Sequence, residues 1–233
     1  MQSTTRLIPT GCGSLDKILN GGLHPNNVTL VYGEAKTGKT SLAIQCSVTA
    51  TRMGHKTIFV DSDGTFFPRR LAQIASHDVN EVAPKIILIK PTTFQEQGLV
   101  IDRLDEYLTP QIGLVVIDSV TSLYRVEIDE PKEKTFKLNR ELGSQLASLA
   151  QIAKTRKIAM LLTSQVRSVF LEGYVTVEPV ATRVLKFWSD TVLNLKPSDR
   201  RNTLKVVLEK STQNDCSVNC YVSLGENGIC DCL

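Results

Sequence analysis

The chain has 233 residues, 42% of them apolar, and carries 27 basic and 24 acidic side chains for a net charge of +3. That size and composition suit a globular fold with a sizeable core and exclude a disordered chain. No apolar run is long enough for a membrane-spanning helix and the first residues lack a secretory signal, so a cytoplasmic location is expected; the mild charge permits nucleic-acid binding without arguing for it.

Strand and helix patterns alternate from about residue 28 to 163, which predicts an α/β fold with a mainly parallel, twisted sheet flanked by helices. Asn27–Gly33 is a short apolar run ending in glycine and reads as a buried strand. Thr40–Met53 reads as a helix, with Gly54 just past its end. Lys56–Asp61 is the next strand. Phe67–Ser76 is a helix with proline at its start, where a missing N–H costs nothing. Lys85–Lys90 is a strand, Phe94–Leu108 a single helix, and Ile112–Ser119 a fully apolar strand ending on a carboxylate. Glu133–Lys157 is a long amphipathic helix, with Leu138, Leu142, Leu146, Leu149 and Ile152 at helical spacing. Lys157–Gln165 is another buried strand. Beyond residue 180, apolar alternation in TVLNLK, TLKVVLEK, NCYVSL and GICDCL predicts a C-terminal antiparallel extension joined by turns such as KPSDRRN and GENG. With no repeat or linker, residues 1–233 are expected to form one domain.

The stretch GEAKTGKT, Gly33–Thr40, has the spacing of a phosphate-gripping loop and lies between a predicted strand and a predicted helix, the context that motif requires. Gly33, Glu34, Ala35, Lys36, Thr37 and Gly38 offer backbone N–H groups that can curl around phosphate oxygens, and the helix start at Lys39, Thr40 and Ser41 adds free N–H groups and a favourable dipole. Lys39 supplies a cation for the β- and γ-phosphates and Thr40 a hydroxyl for Mg²⁺. Asp118 closes the apolar strand LVVID at its carboxyl end, where ligands gather in open α/β sheets, and is the expected second holder of the metal. Hydrolysis also needs a carboxylate to orient the attacking water. Asp61 and Asp63 both lie at the end of the strand TIFVD, and spacing alone does not choose between them.

Taken together, LIPTGCGSLDKILNGGL, GEAKTGKT, VDSDGTFFPRRL, LVVIDSVTSLYR, MLLTSQVR and GENGICD resemble, in order and over nearly the whole chain, the motifs of the RecA-type recombinases in their archaeal and eukaryotic branch. The resemblance implies a RecA-like P-loop ATPase core that uses ATP and Mg²⁺. It places Asp63 where the family has a catalytic glutamate. Aspartate is one methylene shorter, which sets the carboxylate about 1.5 Å back, and a misplacement of that scale can cost about a hundredfold in rate. Weak hydrolysis with intact ATP binding is therefore expected. Arg70 falls where the family stacks an arginine on adenine, Gln165 where it has a γ-phosphate sensor, and Lys210 where a lysine reaches across a subunit interface. The chain starts at the ATPase core, without the helix-hairpin-helix domain and filament-building linker of strand-exchange recombinases. It is thus similar to short archaeal paralogues, whose expected role is to bind DNA, single-stranded above all, beside the main recombinase RadA. A junction-cleaving nuclease and a second copy of the chain are further expected partners. KaiC-like signalling ATPases share the opening and phosphate-loop motifs but carry paired glutamates where this chain reads SDGT. A non-hydrolysing docking protein is the other alternative.

The family's DNA loops fall near Val126–Thr135 and Val166–Pro179. The first, EIDEPKEK, holds at least as many acids as bases and is a poor phosphate binder. The second offers Arg167 to a phosphate and Phe170 and Tyr174 as stacking platforms. The glycine pair that follows it in relatives is Ala181–Thr182 here, which predicts that a loop needing glycine dihedrals is not reproduced. Arg200 and Arg201, in a predicted turn, are the exposed cations best suited to DNA phosphates. Cys216, Cys220, Cys230 and Cys232 crowd the C-terminus at a spacing that is not a familiar zinc pattern; small reduced thiols are expected, with a zinc site or a labile disulfide as alternatives.

Overall fold

A computed structural model describes residues 7–128, 132–171, 174–179, 181–212 and 218–232, without the side chains of 132–134, 167–171 and 174–179. The elements run in chain order as helix α1 (Gly13–Ile18), strand β1 (Val28–Gly33), α2 (Lys39–Arg52), β2 (Lys56–Asp61), α3 (Pro68–Ala75), α4 (Val79–Val82), β3 (Ile86–Ile89), α5 (Phe94–Asp102), α6 (Leu104–Tyr107) and β4 (Ile112–Asp118). They continue with α7 (Ser122–Glu127), α8 (Lys132–Arg156), β5 (Ala159–Ser164), β6 (Val166–Leu171), β7 (Tyr174–Pro179), α9 (Thr182–Trp188), β8 (Thr191–Pro197), β9 (Thr203–Lys210), β10 (Val218–Gly225) and β11 (Gly228–Asp231).

Among the described residues the main sheet has nine strands in the order β11-β10-β9-β8-β1-β5-β4-β2-β3. From β8 to β3 all neighbours are parallel, and from β8 to β11 all are antiparallel. The strand TVLNLK, read from its alternation as antiparallel, is therefore the seam: β8 lies parallel to β1 and antiparallel to β9. Alternation reports which face a residue takes and says nothing of a neighbour's direction.

The parallel strands read as continuous apolar runs because both faces are covered. Val31, Phe59, Val116 and Leu161 pack toward one layer, where α2 and α3 supply Leu42, Cys46, Leu71 and Ile74. Leu30, Ile58, Val115 and Met160 point the other way, toward α5 and α8, where Phe94, Ile101, Leu142, Leu146 and Leu149 meet them. Fully burying each such side chain stabilises the fold by about 1.5–3 kcal/mol. This layering sets the carboxyl ends of β1, β2, β4 and β5 side by side on one edge of the sheet.

Three expectations change, and one alternative is narrowed. The predicted helix Phe94–Leu108 is two helices, broken at Arg103, whose ψ of 0° leaves helical geometry; the turn buries Leu104 and lets Asp105 take the Arg156 guanidinium at 2.6 Å. Val166–Pro179 is an antiparallel hairpin of β6 and β7, with no open loop across its strands. Ala181 takes the left-handed conformation (φ 54°, ψ 42°) at the start of α9, so a turn of the kind glycine favours is made here without it; a single such residue costs about 1–2 kcal/mol. Lastly, Cys230 lies opposite Ser223 while Cys220 shares the other face with Val222, so these two thiols point to opposite sides of the sheet. Among the described residues no three His, Cys, Asp or Glu side chains are grouped to hold a metal, and Cys216 lies outside them. The segments α1, α7 and α9 carry too few residues for periodicity to announce them.

Candidate nucleotide site

The phosphate loop is built by close backbone approach. A Cβ on Gly33 would stand 2.3 Å from the Leu195 carbonyl of β8, so nothing larger fits where β1 ends. Gly38 turns the chain into α2 with φ of 79°. Between them the loop braces itself, the Thr37 hydroxyl donating to the Glu34 carbonyl at 2.8 Å. The Lys39 ammonium folds back over this turn and donates to the carbonyls of Gly33 (2.9 Å) and Glu34 (2.7 Å). Burial lowers its pKa, against the opposing pull of Asp118, Asp63 and Glu34. It is a partly desolvated cation, which makes a charge-assisted bond to an incoming phosphate strong.

Asp118 ends β4 beside this loop and is 1% exposed. Thr163 of β5 donates to its Oδ1, and its Oδ2 has no partner. Burial raises its pKa above the usual carboxylate range, the Thr163 hydroxyl opposing this. A buried carboxylate with an unpartnered oxygen fits a cation. Thr40 opens into the same cleft, its hydroxyl 3.3 Å from that of Thr65.

The two acids after β2 separate clearly. Asp61 is buried, and its oxygens accept from the backbone N–H groups of Thr65 (2.9 Å) and Phe66 (3.2 Å), with the Lys90 ammonium at 3.5 Å. It holds the loop. Asp63 instead lines the cleft, where the Gln165 Nε2 donates to both its oxygens at 3.0 and 3.3 Å. Gln165 at the end of β5 and Asp63 after β2 thus meet across the end of β4. Arg125 of α7, which closes the stretch LVVIDSVTSLYR but has no role assigned there, joins them by donating to the Gln165 Oε1. Ala35, Lys36, Gly38, Lys39, Thr40, Ser41, Asp63, Asp118, Arg125 and Gln165 all line one cleft, closed on a further side by Leu224 of β10.

Arg70 stands at the cleft's rim. Its donors are spent on the Ser41 hydroxyl (3.0 Å) and on the carbonyls of Glu226 (2.7 Å) and Gly225 (3.0 Å). A fourth N–H reaches the Gln73 Oε1 at 3.3 Å, which leaves the flat face of the guanidinium and one N–H for a base. Lys210 caps the end of α9 within its own chain, donating to the carbonyls of Lys186 and Ser189. Arg200 and Arg201 are exposed in the β8–β9 turn, in a groove that shares Ala35, Lys36 and Leu224 with the cleft. The side chains of Arg167, Phe170 and Tyr174 lie outside the described residues. Thr163, Lys90 and Arg125 received no role from the sequence, although Thr163 and Arg125 lie within the family-like stretches, because each acts through a partner distant in the chain.

A parallel sheet with a phosphate loop after β1, a carboxylate ending β4 and an amide ending β5 defines a RecA-type nucleotide-binding core. The family model for Rad51 matches residues 2–232, and the chain belongs to that family, whose members bind a nucleotide with a metal. Within it the chain is similar to archaeal proteins named DNA repair and recombination protein RadB. One from Methanosphaera stadtmanae is 34% identical, covering 84% of this chain and 83% of its own. Another, from Methanothermobacter thermautotrophicus, is 33% identical over 88% and 87%. A crystal structure of a RadB recombinase superposes with a TM-score of 0.83 at 31% identity, covering 97% of this chain and all of the other. Among the described residues no helix is long and apolar enough to cross a membrane.

Proposed function

We propose that the chain binds ATP with Mg²⁺ in this cleft, hydrolyses it slowly, and uses the bound triphosphate to set a DNA-binding state in homologous recombination and repair. The observation that carries this reading is the buried, half-partnered Asp118 carboxylate beside Lys39 and Thr40. Thr40 and Asp118 would hold the metal, which when bound supplies charge neutralisation at the β- and γ-phosphates. Lys39 would leave the loop carbonyls for the phosphates. The loop N–H groups and the start of α2 would bind the remaining oxygens, and the face of Arg70 would meet the base. Asp63 would accept the water's proton, with Gln165 reporting the terminal phosphate to the β6–β7 hairpin that follows it.

The RadB relatives support the recombination role. A partnership with RadA, a junction nuclease or a second copy, and a cytoplasmic location, belong to this reading. Arg200 and Arg201, with Arg167, Phe170 and Tyr174 of the hairpin, would bind single-stranded DNA. The Arg200→Ala/Arg201→Ala variant is expected to weaken binding and to reduce its salt slope by about two, one per lost phosphate contact. Full affinity in that variant would remove these residues from the interface.

ATP turnover measured with and without single-stranded DNA, beside equilibrium ATP binding, tests the core of the proposal. Intact binding with turnover below about 1 s⁻¹ is expected, the low end for an enzyme. Asp63→Glu should restore reach and raise the rate by about tenfold or more. Fast, DNA-stimulated turnover by the native chain would overturn it.

A further inference from the structure

We infer that Arg125 is a positioning residue for water activation, fixing the Gln165 amide so that its NH₂ end faces Asp63. This rests on the reading that Asp63 serves hydrolysis. The three groups form a line: the Arg125 guanidinium donates to the Gln165 Oε1, and the Gln165 Nε2 donates to the Asp63 carboxylate at 3.0 Å. A guanidinium only donates and a carboxylate only accepts; an amide can take from the first and give to the second in one orientation alone. Each end therefore dictates which way the amide lies. Among the described residues Gln165 is the one side-chain partner of the Arg125 guanidinium, which is otherwise exposed to the cleft.

The topology makes such a line necessary. Asp63 follows β2 and Gln165 ends β5, with β4 between them, so no backbone bond joins the two. The loop carrying Asp63 is tied to the Asp118 carbonyl by the N–H groups of Ser62 (2.8 Å) and Asp63 (3.1 Å), which hold its backbone. The carboxylate itself is steered by Gln165 alone among the described side chains. Without Arg125 the carboxylate still favours the NH₂ end of the amide, but the Oε1 loses its anchor, so the amide can swing away and release Asp63 from its aim. Arg125 belongs to α7, the element that follows the strand bearing Asp118, so metal side and water side are joined by a short stretch of chain.

The test begins with the nucleotide-free protein labelled with ¹⁵N. The Gln165 side-chain NH₂ signals, assigned by their loss in Gln165→Leu, should move in Arg125→Met and in Asp63→Asn and stay near their native place in Arg125→Lys, which keeps a donor. Signals unmoved by Arg125→Met would overturn the inference. In turnover, Arg125→Met should lower kcat by about tenfold, the scale of a small misplacement, with ATP affinity unchanged. Added to Gln165→Leu, it should cost nothing further. A second, additive loss, or a loss of affinity in place of kcat, would mean that Arg125 acts on the phosphates directly, contrary to the proposal. If the native chain shows no turnover, the hydrolysis reading fails, and the NH₂ signals alone decide where Arg125 holds the amide.

Discussion

The two walls of the cleft are made by different means. The phosphate-loop wall is one contiguous stretch, Gly33–Ser41, shaped by glycines and bonded to itself. The facing wall is Asp63, Arg125 and Gln165, from the ends of β2 and β5 and from helix α7, joined to one another only through side chains. A wall built from local backbone is rigid and suits binding. A wall built from side chains can be rearranged by one substitution, and suits setting a rate.

The contrast breaks most easily at Lys39. Lys39→Ala is expected to weaken ATP binding by about 3 kcal/mol, roughly a hundredfold, since a desolvated charge contact is lost. Asp63→Asn should leave that affinity in place and remove turnover. Equilibrium titration of both variants decides; parallel losses of affinity would mean that the walls do not divide the work.

A smaller effect is expected behind the binding wall. Gln45 of α2 clasps the β11 backbone, its Nε2 donating to the Ile229 carbonyl at 2.8 Å and its Oε1 accepting from the Ile229 N–H at 2.7 Å. Gln45→Ala strands both buried groups and should cost about 1–3 kcal/mol of stability, read by denaturant unfolding. ATP affinity should hold if the loop is braced locally, and fall if it leans on the hairpin.

The smallest shift concerns Asp118, whose pKa burial raises. For such a group the stabilising contribution is present below the ordinary aspartate value of about 3.9 and is lost as pH rises through the higher folded value. Asp118→Asn should therefore melt above the native chain at neutral pH without nucleotide. The gap should close on acidification. Mg²⁺ with ATP should raise the melting point of the native chain more than that of the variant. A variant that melts lower at neutral pH would mean that the carboxylate is already stabilised by the fold.

Much of the molecule could be read in advance where the signal is local. The phosphate loop, the Asp118 strand and the apolar face of α8 follow from spacing that one segment carries by itself. The choice between Asp61 and Asp63 could not be read, since both sit at the same strand end and differ only in what lies across from them. Asp61 finds the N–H groups of its own loop and Lys90; Asp63 finds an amide about a hundred residues away in the chain, at position 165. The fate of Lys210 and of the Arg70 donors was hidden for the same reason: their partners are backbone carbonyls of α9 and of the β10–β11 turn.

By itself, then, the order of residues determined the α/β layering, the nucleotide loop and the family motifs, because periodicity and turn chemistry act over a few residues. Only the tertiary structure decided that β8 is the parallel seam, that Asp63 and not Asp61 faces the cleft, and that Arg125 stands behind Gln165. Strand order brings those ends together, and strand order is set by how both faces of the sheet are buried at once, which no single segment encodes.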